Sequence, residues 1–200
     1  MNLTWKQLEA SCVYRMDGEE KLSRGSMKRA RVTGAELLGR GELNRDRVDF
    51  EGLADGVPFK LECKTTHSAS FPLNEDHFRR GQYDELVAFD GIALLLIHFN
   101  PRWLTSKRIE SETYAFPVRS DMAFWRGYES GDVKSISRGD CSVHGVAVEW
   151  NRLPGCRKLS PDIVGAVEKL AAMRSKASEP LMVNTYDANG KLIQITAIMP

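Results

Sequence analysis

The chain is 200 residues long, 42% hydrophobic and 28% charged, which is the composition of one ordinary globular domain and excludes collagen-like, disordered and disulfide-scaffold classes. Its longest apolar stretch, Ile92–Ile97, is far short of the roughly 20 apolar residues that cross a bilayer, and the opening residues mix Asn2, Thr4, Lys6 and Glu9 among apolar ones, so neither a membrane span nor a leader is expected and the cytoplasm is the expected location. A net charge of +1 excludes a uniformly basic nucleic-acid coat, although a balanced total can hide local asymmetry.

In chain order, Leu3, Leu8, Cys12 and Val13 fall loosely at helical spacing behind Thr4 as N-cap, which predicts a helix from Leu3 to about Leu22. Residues 21–47 carry eight basic side chains, among them Lys28, Arg29, Arg31, Arg40 and Arg45, against three acidic ones, a local net charge of +5. Glycines at 25, 34, 39 and 41 make residues 24–47 read as an irregular, projecting basic segment, either a phosphate-contacting surface or a solvated positive face.

Two alternating runs follow, Arg47–Leu53 and Val57–Thr65, joined through Asp55–Gly56, the dipeptide that two-residue hairpin turns prefer. With Asp55 and Gly56 as the turn, Ala54 faces Val57, Glu51 faces Lys60, Phe50 faces Leu61, Asp49 faces Glu62 and Val48 faces Cys63. One face is then apolar, through Val48, Phe50, Leu61 and Cys63. The other gathers Asp49, Glu51, Lys60, Glu62 and Lys64. Opposed carboxylates with Cβ atoms about 5 Å apart repel unless something positive lies between them. A divalent, oxygen-loving cation would do this, and so would pairing with Lys60 and Lys64 on a solvent-facing edge hairpin.

Downstream, Asn74 with Glu75 and Asp76 predicts the start of a helix running to about Ala88. Its apolar stripe of Phe78 and Leu86 contains Gln82, an amide that either bonds a neighbouring backbone group or reaches toward the carboxylate face. Gly91–Phe99 reads as a buried central strand. Thr113–Pro117, Ser120–Arg126, Ser135–Ser137 and Val146–Trp150 are placed only as a strand and helix mixture. Ser160–Pro161 opens a final helix with Ile163, Val164, Val167, Leu170 and Ala171 on one face, and residues 181–198 form a C-terminal hairpin around Asp187–Gly190.

Cys12, Cys63, Cys141 and Cys156 show no CxxC pairing, and Cys141-x-x-His144 with Cys156 lacks a fourth zinc ligand, so reduced, mostly buried thiols are expected. None of His67, His77, His98 and His144 has a Ser or Cys partner at a recognisable nucleophile elbow. Trp103, Trp125 and Trp150 are expected to be core or interface aromatics.

Asp49 followed across a hairpin by Glu62-Cys63-Lys64 resembles the PD-(D/E)xK nuclease pattern. The surrounding run Asp49-Phe50-Glu51-Gly52, Phe59 to Thr65, Ser70-Phe71-Pro72-Leu73, Gln82, Val133-Lys134-Ser135-Ile136 and the helix near Pro161 resembles RecU-type Holliday-junction resolvases over about residues 5–175. That resemblance implies an α/β fold with a restriction-endonuclease-like central mixed β-sheet flanked by helices, here with an added C-terminal β-hairpin, in a single nuclease domain over residues 1–200. It implies a homodimer that cuts branched, four-way DNA with Mg2+ or Mn2+. By position, Asp49 and Glu62 would be metal ligands and Glu9, or else Glu19 or Glu20, would supply the acid of the first helix. Lys64 would orient water or stabilise developing charge, with Gln82 assisting. The projecting stalk is shortened here to about residues 24–47. Two rivals stay open: the same fold cutting another branched or duplex DNA, and a non-catalytic DNA-architecture protein.

Overall fold

The computed structural model describes residues 1–13, 25–29, 48–152, 159–177, 181–186 and 192–198. In chain order the elements are α1 (Trp5–Val13), β1 (Gly25–Arg29), β2 (Phe50–Ala54), β3 (Val57–Thr66), β4 (Ser70–Pro72), α2 (Arg80–Val87), β5 (Ile92–Phe99), β6 (Arg102–Leu104), β7 (Lys107–Ile109), β8 (Glu112–Pro117), α3 (Ala123–Ser130), β9 (Ser135–Ser137), α4 (Arg138–His144), β10 (Val146–Ala147), β11 (Trp150–Arg152), β12 (Leu159–Pro161), α5 (Ile163–Ala177), β13 (Leu181–Tyr186) and β14 (Leu192–Ile198). Among these residues no helix is long and apolar enough to cross a membrane.

The main sheet runs β1-β2-β3-β5-β8-β10 among the described residues. It is mixed, because β3 and β5 are parallel while the remaining pairs are antiparallel. Asp55 (φ 48°) and Gly56 (φ 81°) both take positive φ, as a type I′ turn requires. That turn fixes the β2–β3 register at Ala54↔Val57, Glu51↔Lys60 and Phe50↔Leu61, the register expected from the sequence. Smaller two-stranded pairings join β4 with β9, β6 with β7, β11 with β12, and β13 with β14.

The sheet divides the core in two. On one face Phe50, Phe59, Leu61, Leu94 and Leu96 pack under α1 and α5, through Leu8, Cys12, Ile163, Val164 and Val167. On the other, Ala93, Leu95, Ile97 and Phe116 pack under α2, α3 and α4, through Tyr83, Leu86, Trp125 and Cys141. Every residue of β5 is buried, as a strand covered on both faces must be. Helices on both faces of a mixed sheet make this an α/β fold.

Several expectations need correction. The described part of the first helix is Trp5–Val13, capped by Thr4: the Gln7 N–H donates to Thr4 Oγ1 and Thr4 N–H donates to Gln7 Oε1, a reciprocal capping box. Within the basic segment Gly25–Arg29 is a regular edge strand, with Lys28 opposite Glu51 and Arg29 opposite Phe50, and not irregular chain. Arg31, Arg40 and Arg45 lie outside the described residues, as do Glu19, Glu20 and Cys156. Asn74 opens one isolated turn, accepting from the His77 and Phe78 N–H groups, while its side chain bonds the His77 ring; α2 therefore starts afresh at Arg80. The last helix begins at Ile163, because Ser160 and Pro161 are held in the β12 ladder and Asp162 Oδ1 accepts from Gly165 N–H. Val48 is buried on the α2 side, away from Phe50 and Cys63, since the ladder ends at Phe50 and the strand alternation ends with it. Trp125 is fully buried and Trp150 packs at the core edge, but Trp103 is 71% exposed.

Candidate active site

Residues two apart on a strand share a face, so β3 turns Glu62 and Lys64 toward α2 while Leu61 and Cys63 enter the opposite core. This polar face is not the solvent side of an edge hairpin: β3 is an interior strand, and Glu62 and Asp49 are each only 2% exposed. Burial of two carboxylates in a sheet interior demands donors for their oxygens. Glu62 Oε1 accepts from Lys64 Nζ and from Gln82 Nε2, each at 2.7 Å, and Glu62 Oε2 accepts from the Asp49 backbone N–H at 3.0 Å. Asp49 Oδ2 accepts from the Cys63 N–H at 2.9 Å. The expected opposition of Asp49 and Glu62 is thus present just past the end of the ladder, with hydrogen bonds linking the two segments.

Gln82 does both of the things open to it. Its Oε1 accepts from the Arg79 N–H at 3.2 Å, closing the start of α2, and from Lys64 Nζ at 3.3 Å, while its amide donates to Glu62. One buried side chain therefore ties the helix start to the carboxylate and the lysine. Three residues on, Glu85 holds the approach to Asp49: Oε2 accepts from Val48 N–H at 2.9 Å and Oε1 from Lys60 Nζ at 2.6 Å. Spacing along one strand could not reveal Glu85, because its role depends on where α2 docks.

Glu9 projects from α1 and is 5% exposed. One turn later Cys12 places its Sγ 3.9 Å from Cys63 Sγ. Burial, followed by contact with Cys12 and the nearby charges of Asp49 and Glu9, pushes the Cys63 thiol well above its usual range, so it stays protonated and unreactive. Cys12, Cys63 and Cys141 are all free and buried; burial likewise pushes Cys141 up to about 12.

An open cavity of about 300 Å³ is lined by Glu9, Asp49, Glu62, Lys64 and Gln82 together, with Trp5, Asp76, His77 and Arg79 completing its wall. Sequence spacing missed these last four. Asp76, His77 and Arg79 sit in the turn before α2, where a continuous helix was expected. Another cavity, between Pro117, Met122, Leu170 and Arg174, contains none of these carboxylates.

The donors facing the first cavity are carboxylate oxygens with an ammonium beside them, a set suited to a hard, oxygen-seeking cation and not to a thiophilic one. Among the described residues no three His, Cys, Asp and Glu side chains converge in ligating geometry. Cys141 and His144 form no such cluster; the His144 ring packs at 6.3 Å from Phe116 and 6.2 Å from Phe124.

The RecU family, described as recombination protein U, matches residues 42–155. Similar curated proteins include the Holliday junction resolvases RecU of Bacillus cytotoxicus, 27% identical over 99 residues that cover 48% of this chain and 46% of the relative, and of Bacillus mycoides, 29% identical over the same coverage. The resolvase of Bacillus thuringiensis strain Al Hakam is 28% identical, again over 99 residues. The chain spans about half the length of the curated relatives it matches. Asp49, Glu62, Lys64, Gln82 and Glu85 all fall inside the matched block, while Glu9 and β13–β14 fall outside it.

Proposed function

The chain belongs to the RecU family, and from that membership together with the buried Asp49–Glu62–Lys64–Gln82 network we propose that it is a metal-dependent endonuclease that cleaves four-way DNA junctions by phosphodiester hydrolysis. The observation that carries this reading is the convergence of an acidic pair, a lysine and an amide on one open cavity, inside the block that the family matches. The curated relatives are named Holliday junction resolvases, which gives the substrate class.

Asp49 and Glu62, with Glu9 from α1, would hold Mg2+ or Mn2+. A bound divalent cation lowers the pKa of an attacking water and offsets charge on the leaving oxygen. The protein's own side chains supply the rest. Lys64, 13% exposed, presents a point charge at the cavity wall, where it can orient a nucleophilic water or balance charge on the phosphate. Gln82 keeps Glu62 and Lys64 in register. Arg79, on the same wall, would meet a phosphate oxygen.

Further parts of the reading follow the family resemblance. The sheet with helices on both faces supports a restriction-endonuclease-like core, with β13–β14 as an addition to it. Lys28, Arg29, Arg31, Arg40 and Arg45 would contact backbone phosphates, and a symmetric junction cut twice favours a two-fold homodimer working in the cytoplasm.

The test is cleavage of a labelled synthetic four-way junction and of linear duplex of the same sequence, with Mg2+ or with chelator, beside Glu62→Ala. Paired nicks in the junction alone, lost in chelator and in the variant, are expected. Tight binding without cleavage under any metal would overturn the nuclease reading in favour of DNA architecture.

A further inference from the structure

The short β6–β7 hairpin is the most exposed apolar feature of the described residues. Trp103 is 71% and Leu104 58% exposed, whereas a Trp side chain normally buries most of its large surface. Leu104 pairs with Lys107 and Trp103 with Arg108 in the ladder, so each apolar residue stands opposite a basic one on the same face of the hairpin. Charge along the hairpin is positive. Arg102, Lys107 and Arg108 stand against Glu110 alone, and the Arg108–Glu110 contact at 3.3 Å joins two side chains more than half exposed, where such pairing is weak.

Thr105 has φ 56° at the tip. A β-branched residue in the left-handed region costs energy, so the tight two-residue loop is held despite local strain. The base of the hairpin is fixed. Asn100, fully buried, donates its N–H to the Thr66 carbonyl, donates its amide to the Leu3 carbonyl and accepts from the Leu3 N–H. Arg138 adds a bond to the Asn100 carbonyl and stacks over Phe99. Thr66 ends β3 two residues beyond Lys64, and Leu3 leads into the helix that carries Glu9. The hairpin therefore leaves the sheet at the end where the carboxylate cavity lies, seated on the same strand and helix that build that cavity.

Resting on the junction-nuclease reading above, we propose that this hairpin reads the branch point: Trp103 stacks on a base unpaired or unstacked where duplex arms meet, and Lys107 and Arg108 hold the flanking phosphates. An indole flanked by cations suits an exposed base next to a phosphate, and a base is exposed at a branch but not within a continuous duplex. This explains why an aromatic is spent on the surface: it adds nothing to linear DNA and selects the junction.

The experiment measures binding of the full-length chain, in chelator so that nothing is cut, to a four-way junction carrying 2-aminopurine at the branch and to linear duplex of the same arms. Trp103→Ala weakens junction binding roughly tenfold or more, leaves duplex binding within about twofold and abolishes the change in 2-aminopurine emission; Trp103→Phe restores most of both. Lys107→Gln with Arg108→Gln weakens both DNA forms and lowers the salt slope by about two. The proposal is overturned if Trp103→Ala leaves junction binding unchanged, weakens both forms equally, or alters the sedimentation coefficient, the last marking the hairpin as a contact between copies. Wild-type protein that does not prefer the junction would sink the function reading and this one together, whereas a wild-type preference that survives Trp103→Ala sinks only this one.

Discussion

Gln82 is the side chain on which the carboxylate network turns, since it closes α2, donates to Glu62 and accepts from Lys64. Removing it leaves Glu62 Oε1 with one donor fewer and the Arg79 N–H without its acceptor. Gln82→Ala should therefore cut single-turnover cleavage by roughly 10- to 100-fold, the range for a residue that orients metal ligands. Helix stability should drop by about 1 kcal/mol, and junction affinity measured in chelator should stay unchanged; an equal loss of affinity would mean that the amide touches DNA. A second residue-scale effect concerns His98, buried in β5 with Nδ1 against Thr113 Oγ1. Desolvation lowers its pKa below 6.5, outweighing the Met1 carbonyl, which acts the other way. The unfolded chain then binds the proton more readily than the native one, so stability is greatest above the unfolded value and falls as pH drops through 6.5. Thermal melts followed from neutral to acid pH should show this decline, and His98→Gln should melt lower at neutral pH yet decline less. Asp49, Glu62 and Lys64 were legible because turn chemistry and strand period alone fix their spacing. Arg79, Asp76 and Glu85 were not, because the docking of another element brings them to the site.

The β2–β3 hairpin shows what a turn can and cannot specify. Asp55 and Gly56 dictated the register, and the paired strands agree with it from Ala54↔Val57 to Phe50↔Leu61; Asp49 lies one residue past that ladder and meets Glu62 through its backbone N–H. Beyond Phe50 the turn no longer governs, and Val48 goes to the far core because Glu85 of α2 captures its N–H. The two ends of this element thus make separate predictions. Gly56→Ala meets no atom within 4 Å of its new Cβ, so its effect is the cost of a left-handed residue, about 1–2 kcal/mol, read as a lower urea midpoint with unchanged slope. Glu85→Ala releases both Val48 and Lys60, and cleavage should fall about tenfold or more while the far-ultraviolet circular dichroism is retained. Glu85→Gln, which keeps acceptor capacity, should fall less; identical losses in the two variants would show that charge, and not the hold on Val48, is what Glu85 supplies. The β6–β7 hairpin escaped the sequence for the same reason as Val48, since its base is held by the Asn100 side chain on Leu3, whereas the split of the Asn74–Ala88 region into a turn and a helix rests on local bonds of Asn74 to His77 and of Gln82 to Arg79.

At the scale of the whole molecule, the sheet keeps two apolar cores apart and carries a buried polar network on an interior strand, an arrangement visible in outline from β5's unbroken hydrophobic run and the opposed carboxylates. What sequence could not supply was the choice between the two roles open to Gln82 in the α2 stripe, a backbone bond or a reach toward the carboxylate face, because only the docking of α2 over Glu62 shows that it does both. Charge is distributed just as unevenly. The chain as a whole is nearly neutral at +1, yet residues 21–47 hold a net charge of +5, and β1 ties part of that segment to the hairpin by setting Lys28 opposite Glu51 and Arg29 opposite Phe50, next to Asp49. A diffuse encounter with a neutral surface would give DNA binding with little salt dependence. Engagement through this segment would displace about five counterions, contributing about −4 to −5 to the slope of the logarithm of the association constant against the logarithm of salt, a loss of roughly 10²- to 10³-fold between 50 mM and 200 mM salt from this segment alone. Replacing Lys28, Arg29 and Arg31 by Gln should flatten that slope by about 3 for junction and linear duplex alike, because phosphates carry no branch information. Fluorescence anisotropy across a salt series decides it: a slope near −1 in the wild type, or one unmoved by the triple replacement, would place the phosphate contacts elsewhere on the molecule.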